Sequence, residues 1–286
     1  MSDSKKFHLH LVSDATGTTL LGLARACLAQ FGGIEPVQKF WPLVRTQKQL
    51  EKVIQQIQEN PGPVIFTLVD EKMRARLQER CDDLGVPCVA VLDPIIRGLS
   101  TYLGKHSKNV PGLQHAMDDA YFKRVEAIDF AMRFDDGKTY EGLREADVIL
   151  VGVSRTSKTP TSIYLARRGI KAANIPLVPN VKVPEEYFHL EKPLYVGLSA
   201  SPKRLAELRK TRLQADTNKS FGANEYLDLE KIEEEVRTAR RLFTKNNWPV
   251  INVTNRSIEE TAAEIMTFWQ SFQEKRKNQE QVKIAE

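Results

Sequence analysis

Cysteine is scarce. Cys27, Cys81 and Cys88 are the three thiols in 286 residues, an odd count without metal-ligand spacing, which excludes a disulfide framework or a cysteine zinc site as the organising principle. No apolar run approaches the roughly 20 residues that a membrane-spanning helix needs. The opening MSDSKKF is polar and basic and passes straight into a strand-like segment, unlike a secretory signal. These absences predict a reducing cytoplasm, buried thiols and no membrane partner. Excess charge is slight as well: 42 Lys+Arg against 37 Asp+Glu leave +5, too thin a balance to call for nucleic acid or another polyanion. His8, His10, His106, His115 and His189 have no metal-ligand context. His8 and His10 alternate on a strand and read as core filling.

What is present is a folding composition, 41% hydrophobic and 28% charged, at a length that predicts one large or two ordinary domains of roughly 150 residues. Strand-length apolar runs alternate with amphipathic helix-length stretches. The fold class is therefore α/β, with mostly parallel sheets built from βαβ units. Strands are expected at 7–12, 37–44, 64–69 and 87–92, with helices at 18–30, 47–59 and from the charged stretch after 70 to 84, and a helix start at Asp93-Pro94. The segment KHSKNVPG at 105–112 reads as an exposed loop, and as a docking site for a protein target. A helix at 114–134, a turn at Asp135-Asp136-Gly137 and a buried strand at 147–151 follow. The domain boundary is placed before that strand, giving an N-terminal α/β domain at 1–145 and a P-loop nucleotide-binding domain at 146–286. Further strands are expected at 174–178, 194–198 and 250–253, with basic and acidic helices before a final helix. No internal repeat is visible, and the apolar-poor tail at 275–286 is expected to fray.

The chemistry-bearing stretch is DVILVGVSRTSKTPTS at 147–162. A buried strand runs into Gly152-x-x-x-x-Ser157-Lys158-Thr159 and then into a helix, the arrangement of a phosphate-binding P-loop with serine in place of the second glycine. In such a loop backbone N–H groups and the positive helix end wrap phosphates, the lysine neutralises charge, and the next hydroxyl binds Mg²⁺. Here Gly152, Val153, Ser154, Arg155, Thr156 and Ser157 supply the N–H groups, Lys158 the charge and Thr159 the metal-binding hydroxyl. A Cβ at Ser157 restricts a backbone that glycine leaves free. Pro160 falls in the first helical turn, where a missing N–H costs little. The plain alternative is a polar turn with an exposed lysine.

A second strand-to-helix turn, Ser13-Asp14-Ala15-Thr16-Gly17-Thr18-Thr19, has the shape of a ligand-binding crossover. Asp14 is there a candidate catalytic carboxylate, with Asp14 or Thr18 as a simple helix N-cap the competing account. Asp70 and Asp93 end apolar strands and are candidates for a metal or base role, or for capping. Asp135 and Asp136 offer two more carboxylates, at a turn before the P-loop strand. Lys203, Arg204, Arg209, Lys210 and Arg212 put cations on one helical segment, either a lid over a nucleotide or a solvated face.

The segments GVSRTSKTPTSIYLA, SDATGTT, YFKRVEAIDFAMRFDDG and INVTNRSIEETA resemble the regulatory proteins of pyruvate, phosphate dikinase, whose close relatives regulate phosphoenolpyruvate synthase. The resemblance spans nearly the whole chain, and GVSR-x-[SG]-KTPTS is specific to that family, which accommodates serine at 157. It implies a bifunctional enzyme: an ADP-dependent protein serine/threonine kinase that inactivates the target by phosphorylating a threonine near its catalytic histidine, and a phosphorylase that uses inorganic phosphate to remove the same group as pyrophosphate. It further implies that residues 152 to 159 bind ADP; the chemistry of phosphoryl transfer then places Lys158 at the transferring group and Mg²⁺ on Thr159, with Asp14, Asp135 or Asp136 as candidates to orient or deprotonate the target hydroxyl. YLARRGIKAANIPLV is more similar to the dikinase branch than to the synthase branch. A homodimer is compatible with the sequence.

Two readings of other classes stand beside it. A GTPase-like switch would share the P-loop, but the string at 218–221, Asn218-Lys219-Ser220-Phe221, lacks the acid of a guanine-specific motif. A nucleic-acid-binding protein would rest on the basic pI and the Arg-rich helix, and would show strongly salt-dependent binding.

Overall fold

A computed structural model describes residues 5–113, 119–136, 140–179, 181, 183–215 and 226–285. The chain divides into two compact units, Met1–Ala116 and Met117–Glu286. That division falls earlier than the expected boundary at 145/146, because the helix at Asp119–Arg133 packs on elements of the second unit.

The first unit alternates strand and helix: β1 Lys5–Ser13, α1 Thr18–Leu28, β2 Ile34–Trp41, α2 Gln47–Glu59, β3 Val64–Thr67, α3 Glu71–Asp83, β4 Cys88–Ala90 and α4 Asp93–Leu103. All strand pairs are parallel, in the order β2-β1-β3-β4. The β2 strand begins and ends earlier than expected, and Pro42, which has no N–H for a sheet ladder, follows its last residue. Thr46 and Gln49 close α2 with a reciprocal capping box. Leu50, Val53, Ile54 and Ile57 of that helix then pack on Val12, Val64 and Phe66 of the sheet.

The second unit contains α5 Asp119–Arg133, β5 Val148–Val153, α6 Lys158–Ala166, β6 Ala172–Leu177, β7 Leu194–Ser199, α7 Pro202–Ala215, α8 Leu229–Lys245, β8 Val250–Asn252 and α9 Ile258–Ala285. Its sheet is also all parallel, in the order β6-β5-β7-β8. Every residue of β5 and of β7 is buried, as a central parallel strand covered on both faces requires. Val148 and Leu150 face a core shared with Leu165 of α6 and with Ala262 and Ile265 of α9. Ile149, Val151 and Val153 face Phe130 of α5 and Ile232, Val236 and Phe243 of α8. The chemistry-bearing strand is thus buried along its whole length.

The expected fraying of the tail is not observed, since α9 continues to Ala285. The segment is poor in apolar residues but rich in Lys, Glu and Gln, which are strong helix formers, and Arg276 donates to the Lys192 carbonyl at 3.1 Å. The expected loop at 105–112 has no regular structure and is largely exposed. Residues 114–118 of the expected helix, with His115, lie outside the described residues, as do Gly137 and the string at 218–221. Among the described residues no helix is long and apolar enough to cross a membrane.

A Cβ added to Gly197 in β7 would stand 2.6 Å from the ring of Phe243, which is fully buried. We expect Gly197→Ala to cost about 1–3 kcal/mol by overpacking. The same change at Gly22, in α1 with open space around it, should stabilise by about 0.5–1 kcal/mol. Urea unfolding of the two variants, with shifts of opposite sign, checks both.

Candidate functional site

The site is built where β5 runs out. Gly152 passes so close to β7 that a Cβ there would lie 2.5 Å from the Leu198 carbonyl oxygen and 2.8 Å from Thr156 Oγ1. Glycine is therefore required by the close approach. The next residue, Val153, offers its carbonyl to two donors, Thr156 Oγ1 and Lys158 Nζ, each at 2.9 Å. Between them the chain turns through Arg155 (φ 72°) and Ser157 (φ 59°), both in the left-handed region, and α6 starts at Lys158. Ser157 occupies the backbone conformation expected for the glycine it replaces. Its side chain makes no cap hydrogen bond, so it does not compete for the N–H groups of the first helical turn, the donors that suit an anion.

Lys158 is 6% exposed. Burial pushes its ammonium down to about 8, Asp136 and Asp135 pull the other way, and Arg155 and Arg209 add to the lowering. A bound phosphate would hold the charged form by direct attraction. The Arg155 Nε is buried with no hydrogen-bond partner among the described residues.

The turn after α5 brings both expected carboxylates to this loop. Thr159 Oγ1 donates to Asp135 Oδ1 at 2.8 Å, and Asn174 Nδ2 donates to the same oxygen. Asn174 also accepts from the Asp136 N–H at 2.9 Å. Asp136 itself has φ 55° and is exposed, and its carboxylate takes no hydrogen bond among the described residues. Asn174 and Tyr226 touch the candidate site, and sequence reasoning missed both. Asn174 had a signal, a lone amide in the apolar strand AANIPL, and it is 1% exposed. Tyr226, whose hydroxyl lies 3.0 Å from Ser154 Oγ, had none.

Among the described residues no group of three or more His, Cys, Asp or Glu side chains stands ready for a metal ion. The Thr159 hydroxyl and Asp135 carboxylate instead make a pair of hard oxygen donors, which fits Mg²⁺ when water and phosphate supply the remaining ligands.

Arg209 does not act as a free lid cation. It is 1% exposed, donates to Glu235 at 2.6 and 3.2 Å and to the Tyr226 carbonyl at 3.2 Å, and its guanidinium stacks on the Tyr226 ring. Arg204 pairs with Glu207, and Lys203 and Lys210 are exposed. The five cations of α7 therefore do not share one face.

Asp14 belongs to the first unit. It is 4% exposed; its Oδ2 accepts from the Val69 N–H at 2.7 Å and its carbonyl accepts from Arg45 Nε at 2.8 Å. Burial raises its pKa above the usual carboxylate value. Neither Asp14 nor Thr18 caps α1, whose N-cap is Gly17. Asp70 caps α3 by accepting from the Met73 N–H at 2.8 Å, and Asp93 pairs with Arg74, so both have structural partners.

A model of the kinase/pyrophosphorylase family matches residues 9–266, a span that includes the loop and both carboxylates beside it. The chain belongs to that family. It is 51% identical over 272 residues to a protein of Paramagnetospirillum magneticum, covering 95% of this chain and 87% of the relative. It is 52% identical over 260 residues to one of Sinorhizobium fredii (91% and 95%), and 48% identical over 265 residues to one of Rhodopseudomonas palustris (93% and 95%). Each of these relatives bears the name "Putative pyruvate, phosphate dikinase regulatory protein".

Ser157→Gly should relieve the left-handed strain and leave the loop intact, giving a stability change between zero and a gain of about 1 kcal/mol. A melting curve checks it. For Asp14, folding raises the pKa and so takes up a proton; stability falls as pH rises from the ordinary carboxylate value through the raised one. Asp14→Asn keeps an acceptor for Val69 without the charge and should match or exceed the native stability at pH 7. Asp14→Ala leaves that N–H unpaired and should cost about 1–3 kcal/mol. Denaturant unfolding across pH reads both, and retained turnover in Asp14→Asn would mark the residue as structural.

Proposed function

We propose that this protein regulates pyruvate, phosphate dikinase in both directions, phosphorylating a threonine of the dikinase from ADP to inactivate it and removing that phosphate with inorganic phosphate to reactivate it. The observation that carries the reading is the 2.8 Å bond from Thr159 to Asp135, which joins a phosphate-binding loop to a carboxylate turn within one unit. The names of relatives near 50% identity favour the dikinase over phosphoenolpyruvate synthase as target. We place the reaction in the cytoplasm.

In the forward direction the N–H groups of residues 152–157 and the start of α6 receive the diphosphate. Lys158 leaves the Val153 carbonyl for the transferring phosphoryl group, whose negative charge favours the ammonium form against burial. Mg²⁺, held through Thr159 and Asp135, would supply further charge neutralisation. Asp136, with its carboxylate uncommitted, takes the proton of the target hydroxyl; Asp135 is already engaged by Thr159 and Asn174. The threonine oxygen bonds to the β-phosphorus of ADP as the bond to the bridging oxygen breaks, and AMP leaves. In the reverse direction an oxygen of inorganic phosphate bonds to the phosphothreonine phosphorus as the bond to the threonine oxygen breaks, Asp136 passes the proton of the hydrogen phosphate to the departing threonine oxygen, and pyrophosphate is released. One site serves both directions because phosphoryl transfer needs in-line positioning and charge neutralisation more than covalent participation.

Lys158→Ala should remain folded and lose transfer in both directions. Asp136→Asn should lower turnover about 10²- to 10⁴-fold while ADP affinity stays within a few-fold. The assay follows β-labelled ADP onto dikinase threonine and then, with added phosphate, into pyrophosphate. Full activity in the Lys158 variant would defeat the loop assignment.

A further inference from the structure

Beside the loop the second unit holds a cleft of about 830 Å³ that begins at Val153 and Ser154, a size suited to a small organic ligand. One wall is apolar, formed by Val178, Val181 and Phe188 from the segment after β6 and by Leu242 of α8. Val178 and Val181 are 45% and 58% exposed, so among the described residues these two present apolar surface to the cleft. The rest of the lining includes Arg209, Lys231, Glu234 and Glu235, two cations and two carboxylates. A polyphosphate gains no net attraction there, unlike at the loop with Lys158 and Arg155. The cleft thus fits a neutral ligand with an apolar face and hydroxyl donors, joined at the Ser154 end to an anionic group.

We infer that the nucleoside half of the phosphoryl donor occupies this cleft, its base against Val178, Val181 and Leu242 and its ribose toward the carboxylates of α8. The inference rests on the ADP-dependent reading above and extends it to the part of the donor that does not react. In-line transfer separates the target from the same cleft. Attacking and leaving oxygens stand on opposite sides of the phosphorus, and neither Asp135 nor Asp136 lines the cleft. The cleft lies on the leaving-group side, and the target threonine approaches from the side of Asp136. Tyr226 fits this division: it lines the cleft and its hydroxyl meets Ser154 at 3.0 Å, where the two halves of a nucleoside diphosphate would join.

The test fills the cleft without touching the loop. Thr238 lines it from an exposed position on α8, so Thr238→Trp adds bulk where the fold does not pack, and Val181→Ser trims the apolar wall without adding any. The full-length protein with Mg²⁺ is titrated calorimetrically with ADP and, separately, with pyrophosphate, which has no nucleoside. Thr238→Trp should weaken ADP about tenfold or more and leave pyrophosphate within twofold, and Val181→Ser should show the same split to a smaller degree. Equal weakening of both ligands, or none, overturns the inference. So does unchanged ADP binding with lost phosphorylation of the dikinase, which would give the cleft to the target. Failure of the parent reading looks different: the unmodified protein would then bind both ligands no better than Lys158→Ala.

Discussion

The carbonyl oxygen of Val153 holds the site in shape. It is the last acceptor of a fully buried strand, and it receives Thr156 Oγ1 and Lys158 Nζ together. Those two bonds fold the chain back on itself within five residues and hold a buried ammonium in place before any ligand arrives. They depend on Gly152, since any side chain there would push β5 away from the Leu198 carbonyl and move Val153 with it. The shape of the loop thus follows from one missing methyl group in a packed sheet.

A second constraint is Asn174. From β6 it donates to the Asp135 carboxylate and accepts from the Asp136 amide, so one buried amide fixes a turn that precedes the loop in sequence. The two adjacent aspartates are separated in role by this clamp. One is engaged by hydrogen bonds at Thr159, and the other projects its carboxylate to solvent. In a common P-loop protein the carboxylate partner follows the loop along the chain; here sheet pairing of β6 beside β5 brings it from before.

Much of this was legible in the sequence, for identifiable reasons. The run VILVGV has no polar interruption and sits between turn formers, which is how a two-sided buried parallel strand reads, and the Gly-to-Lys-Thr spacing placed the loop at its end. The α/β class followed from the alternation of periods. Burial partners were not legible. Arg209 lies among four other cations on α7 and looks no different from them, yet it points inward because Glu235 on α8 receives it. Asp14 resembled a cap or a base, and its partner is the Val69 amide in the segment that follows β3. The matching strand orders of the two sheets also escaped, because pairing order is a property of the folded sheet and leaves no mark of repetition along the residues.

Arg155, Ser157 and Asp136 all adopt left-handed backbone conformations without being glycine. An unfolded chain visits such conformations rarely at any one of these residues, and three at once has almost no weight. The local preference of the segment therefore opposes its native shape, and the opposition is overcome by contacts that come from β5, β6 and β7. The order of events in folding is then constrained: the sheet must pair before the loop can close. A nascent or partly unfolded chain therefore lacks this backbone geometry, which comes with the completed sheet.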